Sequence, residues 1–198
     1  LYISIDDVQS IKKVVSDIGI DAIFCFASDA GLISQSIISR ELGMHFNTLE
    51  SIKTLTNKFN FREFLFNENI QRHFFMKFSI EDLNDKNIYD QLIANIPLVV
   101  KPMNGSGSKG VNFIFHPRHF NLIKNSLQFS SSKTLIIEKF FYKNGMQICG
   151  DGFFEDSKLK NFSTGDGHFY EDSHYMVPYA ESFPSSHSKK IISQVQKY

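Results

Sequence analysis

Apolar residues recur at helical spacing in the first quarter of the chain, and one continuous apolar run interrupts them. The repeat that predicts the first helix consists of Val8, Ile11, Val14, Val15 and Ile18. Gly19 is expected to end this helix, and Gly43 a second one. Between the two helices, the run 22–27 predicts a parallel strand buried on both faces, and a short strand is predicted at 44–46. This succession predicts the end of a doubly wound α/β sheet.

The middle of the chain carries shorter periodic segments. Two short helices are predicted over 48–67, a strand over 73–78 and a helix within 80–96. Residues 98–115 predict two strands joined by a glycine-rich loop, and residues 117–129 predict another helix. These segments together predict a small lid-like lobe of mixed α and β structure.

The last third of the chain is predicted to open a second lobe. Strands expected at 135–141, 146–154 and 158–163 would form an antiparallel meander. The stretch 165–188 lacks strong periodicity and is expected to be a substrate-facing loop. Its histidines and tyrosines have no metal-ligand spacing, so the sequence assigns no zinc and leaves open the roles of His168, His174 and Tyr175. A helix is predicted from Lys189 to Tyr198.

A polar tetrapeptide, Ser28-Asp29-Ala30-Gly31, follows the predicted buried strand. Open α/β sheets bind ligands at this end of their strands, so Asp29 could belong to a substrate site. A short polar side chain is also a good cap for the helix that follows, and we favour capping as the role of Asp29.

The loop within 98–115 combines a permissive backbone with donors and positive charge. Its glycines, hydroxyls and amines are Lys101, Gly105, Ser106, Gly107, Ser108, Lys109 and Gly110. Glycines let backbone amides approach a ligand closely, and the side chains add hydrogen-bond donors. A chain of phosphate groups is the ligand that such a loop favours.

The residues around this loop exclude three known phosphate-binding motifs. A Rossmann turn continues directly into a helix, whereas Val111 to Phe115 is predicted to be a strand. A protein kinase would also show Val-Ala-Ile-Lys, His-Arg-Asp and Asp-Phe-Gly segments, which the sequence lacks. A Walker motif needs Gly-Lys-Ser/Thr, and Gly110 is followed by valine.

Three segments, in this order and spacing, carry a more specific signal than the loop alone. They are Thr56 to Leu65, Val99 to Pro102 and Ile136 to Phe141. This set resembles the ATP-grasp superfamily, and within it the carboxylate–amine ligases related to the large chain of carbamoyl-phosphate synthetase. The resemblance covers most of the chain and implies two lobes that hold ATP between them.

The resemblance also implies a fold class and a domain division. The expected class is α/β and α+β: the end of a doubly wound pre-ATP-grasp sheet, followed by a two-lobed ATP-grasp fold that stops early. Residues 1–47 would be the pre-ATP-grasp part, 48–132 the small lobe with the glycine hairpin, and 133–198 the incomplete start of the large lobe.

Phosphate contacts are assigned by the same resemblance. Lys58 is expected to point toward the phosphates, and Arg62 to support the helix or the edge of the site. Lys101, at the end of a strand, would reach the α-phosphate and the adenine side of the nucleotide. Ser106, Ser108 and the amides at Gly105, Gly107 and Gly110 would cover the β- and γ-phosphates.

Adenine contacts are assigned to the end of the strand that contains Glu138. Glu138 would accept from the adenine amino group, or, in the plainer interpretation, pair with a lysine. Lys139 and Phe141 would offer backbone contacts, with Phe140 and Phe141 walling the ring. Gln147 stands where many ATP-grasp proteins have a glutamate for the ribose hydroxyls.

The implied reaction activates a carboxylate as an acyl phosphate, which an amine then attacks. Its cofactors would be ATP and Mg²⁺, and its substrates a small carboxylate and an amine. The usual magnesium ligands would lie beyond Tyr198. We therefore expect that this chain is an excised part of a longer protein that binds ATP but turns over poorly or not at all. A carboxylase or carbamoyl-phosphate-type enzyme and a non-catalytic nucleotide-binding module remain the alternatives.

Composition limits the partners further. The 21 basic and 21 acidic residues give zero formal charge, so the sequence indicates no binding to nucleic acid or to an anionic membrane. Without a long apolar run or a basic leader, a cytoplasmic protein is expected. Cys25 and Cys149 are expected to be buried free thiols. The oligomeric state is open, with a homodimer as one option.

Overall fold

The computed structural model describes residues 2–26, 28–104, 107–171, 176–187 and 189–197. The chain forms two compact units, Leu1–Lys139 and Phe140–Tyr198. None of the described helices is long and apolar enough to cross a membrane.

The described residues of the first unit form six α-helices and a four-stranded sheet. The helices are α1 (Val8–Ile18), α2 (Asp29–Glu41), α3 (Leu49–Thr56), α4 (Lys58–Asn67), α5 (Lys86–Asn95) and α6 (Asn121–Gln128). The strands are β1 (Phe75–Ser79), β2 (Leu98–Pro102), β3 (Asn112–Ile114) and β4 (Thr134–Lys139). Short 3₁₀ turns at Glu81–Asn84 and Pro117–Phe120 precede α5 and α6.

Every pairing in this sheet is antiparallel, and the strand order is β1-β4-β2-β3. The predicted glycine hairpin is confirmed, since β2 pairs with β3 from Leu98 opposite Ile114 to Val100 opposite Asn112. On its other side β2 pairs with β4, which places Lys101 opposite Ile136 and Val99 opposite Glu138.

The two faces of the sheet have different roles because side chains alternate along each strand. One face packs against α5 and α6 and forms the core, whose central residues are Phe78, Leu92, Leu98, Val100, Ile114, Ile123, Leu127, Leu135 and Ile137. The opposite face carries the residues between them, including Lys101 and Glu138. The strand alternation therefore directs both charged side chains away from the core.

The N-terminal region matches its predicted helices but not its predicted strands. Helix α1 ends at Gly19, whose φ of 73° is the left-handed conformation typical of a helix end. The described residues of 22–27 and of 44–46 form no strand, and the Phe24 and Phe26 side chains are each 80% exposed. Side-chain hydrogen bonding holds the first of these segments instead, since Gln35 Nε2 donates to the Ile23 carbonyl at 2.6 Å.

The second unit contains strands β5 (Gln147–Glu155), β6 (Lys158–Phe169) and β7 (Pro178–Ser182) and helix α7 (Lys189–Lys197). The three strands form an antiparallel sheet in the order β5-β6-β7. The sequence predicted that the segment 135–141 is the first strand of this meander. That assignment is wrong, because the segment forms β4 of the first sheet. The two units accordingly divide between Lys139 and Phe140, later than the 132/133 boundary predicted from the sequence.

Part of the predicted loop 165–188 is also strand. Residues 165–169 belong to β6, and β7 follows at Pro178–Ser182. No residue of β7 is buried, so the strand has no apolar alternation by which the sequence could reveal it. His168 lies in β6, where its ring Nε2 is 2.9 Å from the Ser182 hydroxyl, whereas His174 and Tyr175 lie outside the described residues.

Asp166 in β6 is hydrogen bonded to the segment that follows β7. Its carboxylate accepts from the Ser185 hydroxyl at 2.6 Å and from the Ser186 amide at 2.8 Å. The hydrogen bonds from Ser185 and Ser186 lower the pKa of Asp166 to about 2. The ionised carboxylate is therefore the form that the fold stabilises.

We predict that Asp166→Asn destabilises the chain at neutral pH and that this difference from wild type shrinks in acid. The folded-state pKa of Asp166 is lowered from 3.8 to about 2, so its contribution is present above 3.8 and is lost as the pH falls through about 2. Urea unfolding at a series of pH values measures this. Asp151→Asn, which changes an exposed carboxylate of the neighbouring strand, is the control. A constant difference at all pH values would contradict the assignment.

Candidate functional site

The residue that caps the start of helix α4 is also the C-terminal cap of the preceding helix, α3. Asn57 ends α3 and caps α4, and its Oδ1 accepts from the Phe59 and Asn60 amides at 3.0 and 3.1 Å. This cap makes Lys58 the first residue of α4. Arg62 follows four positions later, so both basic side chains lie on the same side of the helix.

Aromatic contacts hold α4 against the first strand of the sheet. The Phe75 ring in β1 lies 5.6 Å from the Phe59 ring and 6.1 Å from the Phe66 ring. Phe75 is also the partner of Glu138 across the β1–β4 ladder. The basic side of α4 is thereby brought to the face of the sheet that carries Glu138 and Lys101.

A buried carboxylate with two cationic partners lies at this junction. Glu138 is only 7% exposed. Arg62 Nε donates to its Oε2 at 2.6 Å, and Lys101 Nζ donates to its Oε1. Of the predicted site residues, the structure thus brings Lys101 and Glu138 into direct contact. The alternative interpretation was that Glu138 pairs with a lysine on the surface; it does pair with a lysine, but this partner, Lys101, is half-buried.

The electrostatics of this cluster favour an added anion. Burial alone would raise the pKa of Glu138, but the charge of Lys101 and the hydrogen bonds from Arg62 and Lys101 outweigh it, so the pKa is lowered. Burial and the nearby charge of Lys101 lower the pKa of Lys58, although Asp29 and Glu138 oppose this. A phosphate group at this position would relieve the repulsion between the two lysines.

An open cavity of about 830 Å³ adjoins Lys58. It lies between the start of α2, the turn from α3 to α4, and the residues that follow β2. Its polar lining includes Asp29, Lys53, Lys58, Asn60 and Asn104. A cavity of this size can hold a small organic substrate beside a phosphate group.

The expected capping role of Asp29 is wrong, because the preceding residue caps α2. Ser28 Oγ accepts from the Gly31 amide at 3.2 Å, and Asp29 is the first residue of the helix. The Asp29 side chain instead lines the cavity. A serine directly before the aspartate was the available signal, since both residue types are strong caps.

The glycine loop is described only in part. Gly105 and Ser106 lie outside the described residues. Gly107, Ser108 and Gly110 have φ values of 65°, 58° and 73°, so this turn uses the left-handed conformation repeatedly. A Cβ atom built on Gly110 would lie 2.6 Å from Phe129 Cβ, so Gly110 is required for space as well as for backbone conformation.

The remaining predicted residues follow along β4 and into the second unit. Lys139 ends β4, and its Nζ donates to the carbonyls of Asn95 and Ile96 at 2.9 and 3.1 Å. These hydrogen bonds connect the Lys139 side chain to the C-terminal end of α5. Phe140, Phe141 and Gln147 belong to the second unit, in which Gln147 begins β5 and is exposed.

Metal ligands are not gathered in the described part of the chain. No group of three or more His, Cys, Asp or Glu residues there could hold a metal ion, and both oxygens of Glu138 face cations. These residues do not fit a magnesium site. Cys25 and Cys149 are free as predicted, although both are half-buried rather than fully buried.

Comparison with solved structures places this geometry in a known fold. Phosphoribosylglycinamide synthetase from Anaerococcus prevotii is similar over 100% of this chain and 48% of its own, with a TM-score of 0.72 and 16% identity. N5-carboxyaminoimidazole synthetase from Staphylococcus aureus, complexed with ADP, has a TM-score of 0.72 and 13% identity over 100% of this chain and 50% of its own. L-amino acid ligase from Bacillus licheniformis has a TM-score of 0.69 and 15% identity over 96% of this chain and 43% of its own.

The chain has the ATP-grasp fold, as the sequence predicted, and shares it with these solved synthetases and ligases. It spans about half the length of these solved structures. No protein-family model matches the sequence, and no curated protein matches it.

We predict that Gly110→Ala destabilises the chain more than Gly107→Ala. Both glycines have positive φ, which costs a side chain about 1 kcal/mol. Only at Gly110 does the added methyl group meet Phe129, and such overpacking costs about 1–3 kcal/mol more. Urea unfolding of the two variants measures the difference. Equal losses of stability would contradict the packing of this turn against Phe129.

Proposed function

We propose that this chain is the ATP-binding part of an ATP-dependent carboxylate–amine ligase. The observation that carries the proposal is the meeting of Lys58, Arg62 and Lys101 around the buried carboxylate of Glu138. Three cations against two carboxylates, Glu138 and Asp29, leave a local excess of positive charge on a chain whose formal net charge is zero. A nucleotide supplies the missing negative charge.

The position of the cluster agrees with a phosphate-binding role. Lys101 precedes the glycine turn, and Lys58 lines the open cavity. Each charge-assisted hydrogen bond contributes about 1.5–3 kcal/mol, so two or three of them supply a large part of the roughly 8 kcal/mol of a micromolar complex. Lys101 and Lys58 would contact phosphate oxygens, and amides of the glycine turn would add to them.

The cavity beside Lys58 is the proposed place for the carboxylate substrate. A carboxylate oxygen there would attack the γ-phosphorus, and the bond between that phosphorus and the ADP oxygen would break. An amine would then attack the carbonyl carbon of the acyl phosphate, lose its proton and displace phosphate. Lys53 and Lys58 supply positive charge for the carboxylate and the transferred group.

Magnesium normally supplies charge neutralisation to phosphoryl transfer in this fold class. The described residues do not fit such an ion, so the roles proposed for this chain are confined to binding and orientation. Lys58 and Lys101 would orient the phosphates, while the residues of the cavity would orient the acceptor.

We predict that Lys101→Ala weakens ATP binding at least about tenfold, because one charge-assisted contact is lost. Isothermal titration calorimetry of the 198-residue chain with ATP, ADP and GTP measures this. Adenine nucleotides should bind more tightly than GTP. Lys124→Ala removes an exposed lysine on α6 and should leave the affinity unchanged. Unchanged affinity in Lys101→Ala, or no adenine nucleotide binding by wild type, would overturn the proposal.

A further inference from the structure

Arg62 shares the Glu138 carboxylate with Lys101 but contacts a different oxygen of it. The Arg62 Nε donates to Oε2, whereas Lys101 donates to Oε1. The two cations therefore do not compete for one lone pair, and either bond can form without the other. This separation allows one cation to leave while the other stays.

Arg62 is the better anchored of the two cations. Its helix is held on β1 by the Phe59 and Phe66 rings against Phe75. Its guanidinium carbon also lies 5.8 Å from the centre of the Phe61 ring. A planar guanidinium in such surroundings is already ordered for its carboxylate.

Lys101 is better placed to move. It lies next to the last residue of β2, just before the glycine turn, and its ammonium is carried by a flexible four-carbon stem. To bind a phosphate, this ammonium has to exchange its bond to Glu138 for one to the ligand. Leaving a buried carboxylate without any counter-ion would make this exchange costly.

We propose that Arg62 is a positioning residue for nucleotide binding, which keeps Glu138 neutralised so that Lys101 can move to a phosphate group. The inference rests on the proposed function and assigns a role to a residue that need not touch the nucleotide. Without Arg62, the carboxylate loses one of the two cations that donate a hydrogen bond to it and keeps Lys101. The carboxylate then retains Lys101 more strongly, and the phosphate loses a partner.

A double-mutant cycle in nucleotide affinity tests this mechanism. Arg62→Ala should weaken ATP binding about tenfold in the wild-type background. In a Glu138→Gln background no carboxylate restrains Lys101, so adding Arg62→Ala should change the affinity less than about twofold. Calorimetry on the 198-residue chain gives all four affinities, and comparing the two Arg62→Ala effects cancels any direct effect of Glu138→Gln on adenine binding.

Two further variants separate positioning from general support of the helix. Arg62→Lys keeps the positive charge and should recover most of the affinity, to within about threefold of wild type. Arg72→Ala removes an exposed arginine that lies 5.5 Å from the Phe66 ring of the same helix, and it should bind ATP as wild type does.

The outcomes are distinct. A loss in Arg62→Ala that disappears in the Glu138→Gln background supports the inference. An equal loss in both backgrounds overturns it, because Arg62 would then contact the nucleotide directly or support the helix. Wild-type affinity for Arg62→Ala also overturns it, while the proposed function stands. Failure of the wild-type chain to bind adenine nucleotides overturns the proposed function and this inference together.

Discussion

The need to neutralise one buried carboxylate organises the candidate site. Glu138 lies within β4, between two neighbouring strands, and is almost fully shielded from solvent. An ionised carboxylate is costly in such a place unless cations and hydrogen bonds compensate for lost water. Lys101 from the adjacent strand and Arg62 from α4 provide that compensation. The same requirement ties the helix to the sheet and concentrates positive charge beside the cavity.

Side chains alternate between the two faces of the sheet, and this alternation brings Lys101 and Glu138 to the same face. Leu98, Val100, Leu135 and Ile137 fill the core on one face, so the residues between them must point to the other. Lys101 and Glu138 occupy such positions on neighbouring strands. A core face of apolar side chains thus fixes the register that places a cation beside a carboxylate on the opposite face.

Local sequence patterns were sufficient for much of the first unit. Helices α1 to α4 and the β2–β3 hairpin have clear periodicity, caps or glycine turns, and the structure forms all of them. The sheet membership of β4 could not be read in this way, because a strand's partners are chosen by contacts with residues distant in sequence. The prediction of a strand at 22–27 was wrong for a related reason. An apolar run forms a buried strand only where other strands pair with it.

The candidate site was predictable to a similar extent. The motif order predicts Lys58, Lys101 and Glu138 as site residues, and the structure joins Lys101 to Glu138 directly. The contact between Arg62 and Glu138 crosses 76 positions of sequence, so no local pattern could reveal it. The cavity lining was hidden in the same way, because Asp29, Lys53 and Asn104 come from three separate segments.

The most direct test of the nucleotide site is a map of amide chemical shifts during titration of the isotopically labelled chain with ATP. The account predicts that the largest changes fall on the first turn of α4, the end of β2, the turn 107–110 and residues 138–139. Changes concentrated on α5 and α6, on the opposite side of the sheet, would contradict it. So would a spectrum that millimolar ATP leaves unchanged.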